Sequence, residues 1–586
     1  MEHIPSAAEG SDAEVPHPSG VRDLKRSRAQ VAAQLTADGV PGPERRRRLT
    51  ALVKDALVAH WAEAAGPAEG VALGAVGSLG RGDAGPWSDL DLVLLHDGRQ
   101  SKDALAELAQ RLWYPIWDAG LELDYSMRSL TECRQVASKD LAAAAGLLDI
   151  QPVAGDDTLV AQARAAIYHD WRAASRKRLP ELLAASRARA ERHGELAYLI
   201  EPHLKEARGG LRDYMSLSAL SATWLTDRPH GSVDTAGEHL RDVRDALHLV
   251  SGRPVNVLGR HVTDEVAELM GFTDPDDLLA SVADAGRSVA YALTQTERGA
   301  RRSLERSGIG SVAWKARRLS KAPRHVSVAE GLIDVDGELA LAPGAEANVD
   351  PLLPLRAAAT AATTGLSFTP GLLEAMQASP DLSEPWPEQA RTHLRDLLRS
   401  SHHLVSVWEA MDLHGFAVRW VPEWEGVRNR PQRSAIHRYT VDRHMIESVV
   451  LAAKHRRDVP DQDLLFATAW LHDIGKRAGA TDHSVDGAAL IPAIGARLGW
   501  SPAFTADVET LVRHHLLLSI LSTTRDLDDP ETVTALLDAL GHREDLLLTL
   551  RAITEADSHA AGPKVWTTWR ASLADTLTAK ARAALN

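Results

Sequence analysis

A single cysteine, Cys133, stands in 586 residues, which excludes an intrachain disulfide and fits a reducing compartment. Positive charge is also in deficit. The 66 Lys and Arg against 80 Asp and Glu leave a net charge of -14. Phosphate backbones are held by clustered Lys and Arg, so nucleic acid is disfavoured as the main partner. No apolar run reaches 18 residues, and Met1-Glu2-His3-Ile4-Pro5 has neither the basic nor the apolar region of a signal peptide. A cytoplasmic protein with no membrane partner is the expectation. No solenoid repeat is visible. Hydrophobic content of 44% and charged content of 25% are ordinary for a globular chain, and the length calls for about three or four domains.

The chain does have a dense run from Gly77 to Leu95, GSLGRGDAGPWSDLDLVLL. Val71-Ala72-Leu73 before it and Leu90 to Leu95 within it have the composition of short buried strands, and the glycines between them mark tight turns. Side chains alternate along a strand, so Asp89 and Asp91 share a face with Cα atoms about 7 Å apart. Two carboxylates so placed can hold Mg²⁺ together with the phosphates of a nucleotide. Gly77 and Ser78 would offer backbone N–H groups and a hydroxyl to those phosphates, with Arg81 as a charged fork beside them. The run resembles the signature of the nucleotidyltransferase superfamily, Gly-Ser, a spacer, then Asp-x-Asp. That resemblance implies a third carboxylate from a neighbouring strand. Leu121 to Ser126 offers Glu122 and Asp124 on one face, and the pattern does not separate them.

A second constellation lies towards the other end. His472 and Asp473 follow the apolar helical stretch Leu464 to Leu471 and precede Gly475 and Lys476. Burying an imidazole and a carboxylate there is costly unless they are paired or bind a metal. Such ligands suit a divalent metal that activates water. His444, 28 residues earlier, and Asp557, 84 residues later, complete an order that is similar to the HD metal-dependent phosphohydrolase superfamily. His483 and the pair His514-His515 are candidates for a second metal; Mn²⁺, Mg²⁺ and Fe²⁺ all remain open. Lys476 is a candidate for stabilising charge on a phosphate oxygen. His437 reads as structural.

The predicted fold class is α+β and mostly helical. It comprises a disordered leader over 1–44, a small mixed-sheet nucleotidyltransferase head over 45–145 and a helical domain over 146–322. A connector with a hairpin and helices follows over 323–430, then an all-α HD domain over 431–586. The leader rests on Pro, Ser, Gly and acidic residues in the first 20 or so positions. Arg45 to Arg48 reads as the solvated face of a helix, since Leu49, Leu52, Val53, Ala56 and Leu57 follow at helical spacing. Arg301, Arg302, Lys315, Arg317, Arg318 and Lys321 read as a solvated basic connector. Alternating apolar residues around Asp336-Gly337 predict a hairpin over Ile333 to Leu341.

The order of the two motif sets, with the string Lys205-Glu206-Ala207-Arg208-Gly209-Gly210-Leu211-Arg212-Asp213 between them and Tyr439 to His444 leading into the second, resembles the bifunctional uridylyltransferase and uridylyl-removing enzymes of the PII signalling protein. The resemblance runs from about residue 45 onward. It implies transfer of UMP, or of AMP as in some relatives, from UTP or ATP to a tyrosine of PII at the head. It also implies hydrolytic removal at the HD site. Among the two candidates for the third carboxylate, the family position corresponds best to Glu122. Family members usually continue into two glutamine-sensing ACT domains, whereas about 30 residues follow Asp557 here, so ACT domains are expected to be absent. Rival readings are a tRNA nucleotidyltransferase with an HD tail, which needs a basic RNA groove, and a catalytically silent regulator that docks PII.

Overall fold

The computed structural model describes residues 20–65, 69–308, 326–400, 402–432 and 436–585. They form two compact units. One holds the described residues up to Gly194 with His203–Thr273 and Ala292–Ser307; the other holds Glu195–Pro202, Asp274–Tyr291 and the described residues from Gly308 onward.

In the first unit, α1 (Leu24–Ala37) and α2 (Gly42–Ala64) precede β1 (Val71–Ala75), α3 (Gly77–Arg81), β2 (Leu90–His96), α4 (Lys102–Asp118), β3 (Leu123–Ser129) and β4 (Gln151–Gly155). The four strands make one mixed sheet in the order β3-β2-β1-β4, with β1 antiparallel to β2 and β4, and β2 parallel to β3. The parallel pair is joined by α4, whose start Ser101 caps by accepting from the Ala104 amide. Leu90, Leu92 and Leu94 alternate onto one face and pack with Leu105, Leu108, Leu112, Trp113 and Ile116 of α4. Asp91 therefore points to the other face.

The expected leader over 1–44 is overturned in its second part. Leu24, Val31, Ala32 and Leu35 on one side of α1, with Val21 just before it, join the same apolar core, while residues 1–19 lie outside those described. The head also reaches past residue 145, because β4 completes its sheet and the helix Asp157–Ala173 packs on that sheet. Arg45 to Arg48 do sit on a helix, with Arg47 and Arg48 exposed, but Arg46 is buried. Its guanidinium binds Asp242 (2.6 Å), Asp245 (2.8 Å) and Glu238 (2.6 Å) of the helix Ser232–Ser251. Three carboxylates offset the cost of removing that charge from water.

In the second unit the hairpin turns at Asp336-Gly337 as expected, between β6 (Leu332–Val335) and β7 (Glu338–Leu341). It belongs to a larger sheet, β5-β6-β7-β8, with β5 (Val326–Ala329) and β8 (Ser367–Phe368) on its flanks. Lys315, Arg317, Arg318 and Lys321 of the basic connector lie outside the described residues. The rest is helical, and one apolar core runs from Leu332 to Ala581. Within it the rings of Trp408, Trp424 and Trp470 meet at centroid distances of 5.2 to 6.4 Å. Trp470 lies two residues before His472, so this cluster fixes the end of the helix that delivers the histidine. The buried guanidinium of Arg287 clamps the helix Val441–Ala452 by binding Asp442 (3.2 Å), Asp412 (2.8 Å) and Glu409 (2.6 Å). Among the described residues no helix is long and apolar enough to cross a membrane.

Candidate active sites

In the head, strand register brings the carboxylates together. Asp91 pairs directly with Asp124 on the neighbouring parallel strand, so both point to the face opposite the leucine core. Asp89 precedes β2 and Glu122 precedes β3; the Glu122 carbonyl accepts from the Leu90 amide. Burial, then the negative charges of Asp89 and Asp124, push the Asp91 carboxyl up to about 6, against the opposing charges of Lys205 and Arg81. Three like charges crowded at one edge of a sheet favour a cation between them. The donor set, all carboxylate oxygen, fits Mg²⁺.

The turn before these carboxylates is shaped to approach them. Gly77 has φ +59°, and a Cβ placed there would lie 2.1 Å from Asp91 Oδ2, so only glycine fits. Ser78 Oγ is buried with no hydrogen-bond partner in the chain. An orphaned hydroxyl beside a carboxylate cluster is suited to donate to a phosphate oxygen. Arg81, expected as a free fork for phosphate, is instead bound to Asp149 (2.7 Å) and Asp83 (3.1 Å) at the end of α3.

Further cations act near this site, and one of them, Lys205, comes from a string that the motif reading singled out. Lys205, from the loop between the helices Ser175–His193 and Leu211–Ser221, acts on Asp91 through its charge. Burial lowers the Arg244 guanidinium against the opposing charges of Asp245 and Asp83, with Arg241 and Arg81 also within reach, and its buried Nε has no partner. Arg28 of α1 donates to the carbonyls of Pro86 (2.8 Å) and Ser88, which holds the loop just before Asp89. Only Lys205 carried a sequence signal, through its Lys-Glu…Gly-Gly-Leu-Arg-Asp string.

The second site is built on Asp473. Its Oδ2 lies 3.5 Å from His444 Nε2 and 3.4 Å from His472 Nε2, and its Oδ1 lies 3.6 Å from His483 Nε2 and 3.5 Å from His515 Nε2. Asp557 Oδ1 adds to the first group, 2.8 Å from His444 Nε2 and 3.6 Å from His472 Nε2. The backbone sets the tautomers. His472 Nδ1 donates to Ala469 O at 2.9 Å and His515 Nδ1 to Val512 O at 2.7 Å, leaving each Nε2 lone pair for the site. Gly475 lets the turn after Asp473 touch the start of the helix His483–Leu498, since a Cβ there would lie 2.1 Å from the His483 carbonyl oxygen.

His444, His472 and Asp473 form one group of atoms able to hold a metal ion, and Asp473, His483 and His515 a second. His444, His472, Asp473 and His515 are buried, and Asp473 Oδ1 and His483 Nε2 lack hydrogen-bond partners. Ligands at about 2.0–2.2 Å from one ion lie about 3 Å from each other, so both groups fit divalent metals, with Asp473 between them. Burial opposes protonation of His472, but Asp473 and Asp557 outweigh it and push its pKa up to about 10, so without a metal its Nε2 holds a proton that a bound metal would displace. Burial likewise opposes ionisation of Asp473, and Lys476 and His472 overcome it and hold the carboxyl well below its usual range.

His514 belongs to neither group. Adjacent residues on a helix point about 100° apart, so at the end of the helix Pro502–His514 only one of the pair can face Asp473. Lys476 Nζ is held 2.7 Å from Asp473 Oδ2 and 3.1 Å from Gln432 Oε1. His437 packs its ring 5.5 Å from that of His444, and its Nδ1 is buried without a partner.

Comparison with known proteins places family models on three segments: nucleotidyltransferase domain on residues 61–144, GlnD PII-uridylyltransferase on 177–294 and HD domain on 441–561. Three similar proteins are each named bifunctional uridylyltransferase/uridylyl-removing enzyme. That of Streptomyces coelicolor is 46% identical, covering 92% of this chain and 65% of its own length. That of Mycobacterium tuberculosis (strain H37Rv) is 43% identical, covering 88% and 64%. That of Corynebacterium glutamicum is 36% identical, covering 85% and 70%. The chain thus spans about two thirds of the length of the relatives it matches.

Proposed function

The chain belongs to the bifunctional uridylyltransferase/uridylyl-removing enzyme family, and from that premise we propose that its head transfers a nucleoside monophosphate to a tyrosine of PII while its HD site removes it by hydrolysis. UMP from UTP is the first choice and AMP from ATP the second. The observation that carries the reading is that one chain holds two chemically different clusters suited to divalent metals: a carboxylate cluster under a glycine-serine turn, and a histidine-aspartate cluster divided around Asp473. The buried free Cys133 fits a cytoplasmic setting.

In the head, Mg²⁺ bound by Asp89, Asp91 and Asp124 would neutralise the triphosphate and orient it. Ser78, Lys205 and Arg244 are assigned to the phosphates, because Ser78 Oγ and Arg244 Nε are buried without partners and the charge of Lys205 acts on Asp91. The tyrosine oxygen attacks the α-phosphorus, the bond to the bridging oxygen of the β-phosphate breaks, and pyrophosphate leaves. Asp124, on the exposed edge strand, takes the tyrosine proton. We assign the third carboxylate to Asp124 in preference to Glu122 because Asp124 is the residue in register with Asp91.

At the HD site, a divalent metal in each group would polarise the phosphodiester and supply an activated water. His444, His472, Asp473 and Asp557 hold the first group and Asp473, His483 and His515 the second. Lys476 balances the charge of Asp473 and faces the phosphate. Water oxygen bonds to phosphorus, the bond to the tyrosine oxygen breaks, and the tyrosine regains its proton. The test is the intact mass of PII after incubation with the protein, Mg²⁺ and each NTP in turn: addition of one nucleotidyl group from UTP, or from ATP, supports the reading and identifies the base. No addition from any NTP refutes it.

A further inference from the structure

Four of the fourteen large apolar side chains that the described residues leave exposed fall within one short stretch: Tyr114 (56% exposed), Trp117 (40%), Tyr125 (46%) and Met127 (39%). Trp117 is edge-on to both Tyr114 and Tyr125, at centroid distances of 5.6 and 5.4 Å, so the three rings form one continuous surface. Exposed aromatic clusters of this kind mark protein contacts, and Trp and Tyr dominate their energetics.

Their position in the sheet is what gives them meaning. β3 is the end strand of the sheet, pairing only with β2 among the described residues, and Leu123 to Arg128 make no other backbone hydrogen bond. A row of backbone groups is therefore open along its outer edge. Asp124 and Tyr125 are consecutive on this strand and point to opposite faces. The carboxylate face and the aromatic face thus meet along one open edge.

We propose that this edge is the docking site for the protein substrate, which adds the segment bearing its acceptor tyrosine as an extra strand beside β3. This rests on the transfer reaction proposed above. An added strand lies about 4.8 Å from β3 and its side chains alternate in step with those of β3. A tyrosine opposite Asp124 then points to the carboxylate face, where the α-phosphate would be. Its two neighbours in the segment point to the other face and lie on Tyr125 and Trp117. The register that grips the segment is the register that presents the hydroxyl, and no small-molecule acceptor would need such an edge.

The test uses the full chain with PII, UTP and Mg²⁺, comparing wild type with the double variant Tyr114→Ala/Trp117→Ala and with Tyr114→Lys, whose site is exposed enough to spare the fold. Expected is a rise in KM for PII of about tenfold or more in the double variant and a smaller rise in Tyr114→Lys, with kcat at saturating PII and KM for UTP within about twofold of wild type. Thermal melting of each protein confirms folding. An unchanged KM for PII, or a fall in kcat alone, overturns the proposal. So does a wild-type dimer that the variants dissolve while KM for PII holds, because a second copy would then own the edge. A wild-type protein that labels no PII with UTP or, in its place, ATP overturns the proposed transfer itself, and this inference with it; labelling by wild type with unaffected variants overturns the inference alone.

Discussion

Replacing Asp91 by Asn should make the metal-free protein more stable while abolishing its transfer activity. Burial and the neighbouring charges of Asp89 and Asp124 raise the Asp91 carboxyl from 3.8 to about 6. A raised carboxyl pKa means that ionisation is disfavoured in the folded state, so the charge destabilises the fold. The sign follows from linkage. The penalty is absent below the unfolded value of 3.8, grows as pH rises from there to about 6, and is complete above that. A shift of about two units corresponds to about 3 kcal/mol at most. Asp91 is only partly buried, and solvent screening reduces the figure to about 1–2 kcal/mol. For a unit of this size that is a rise of roughly 2–8 °C in the melting temperature of the head. The assay is calorimetry of wild type and Asp91→Asn in chelator, with the gain near pH 8 shrinking to about half near pH 5. Millimolar Mg²⁺ should narrow the gap by stabilising only the wild type. An Asp91→Asn protein that is no more stable than wild type near pH 8 in chelator would refute the crowding of carboxylates on which the head site rests.

The neighbouring carboxylates separate by register: Asp124→Asn should lower transfer by about a thousandfold or more, and Glu122→Gln by less than tenfold, as read by the initial rate of PII labelling. Ser78→Ala removes a buried hydroxyl with no partner in the chain, so the fold should be unharmed, while kcat/KM for UTP falls about 10- to 100-fold through loss of a hydrogen bond to a charged phosphate. In the HD site, metal analysis after equilibrium dialysis should show His515→Ala losing about one metal per chain and Asp473→Ala losing all of it, because only Asp473 serves both groups.

Sequence reading reached the two candidate clusters because each is announced locally. Gly77, Ser78, Asp89 and Asp91 lie within 15 residues, and His472 and Asp473 are adjacent. The remaining site residues depend on contacts between distant parts of the chain. Glu122 and Asp124 share a strand face, and only the pairing of β3 with β2 puts Asp124 beside Asp91. Arg46 looked solvated because a run of four arginines does, yet its carboxylate partners lie about 190 to 200 residues away on another helix. Val21 to Leu35 read as leader because the preceding residues are polar and proline-rich, whereas those apolar positions fill a core whose other wall is formed by α2 and α4. His514 and His515 are equivalent in a dipeptide, and helix geometry selects one. Ser78 and Arg244 acquire significance only once their polar atoms are seen to be buried and unpaired.

The central claim is that two opposed reactions occupy separate residue sets in this one chain. Its most direct measurement follows both reactions on PII by intact mass, with wild type, Asp91→Ala and His472→Ala/Asp473→Ala, starting from unmodified and from fully nucleotidylated PII. The account predicts that Asp91→Ala removes the nucleotide but does not add it, and that the HD double variant adds it but does not remove it. Loss of both reactions in either protein, with the fold intact by melting, would contradict the claim.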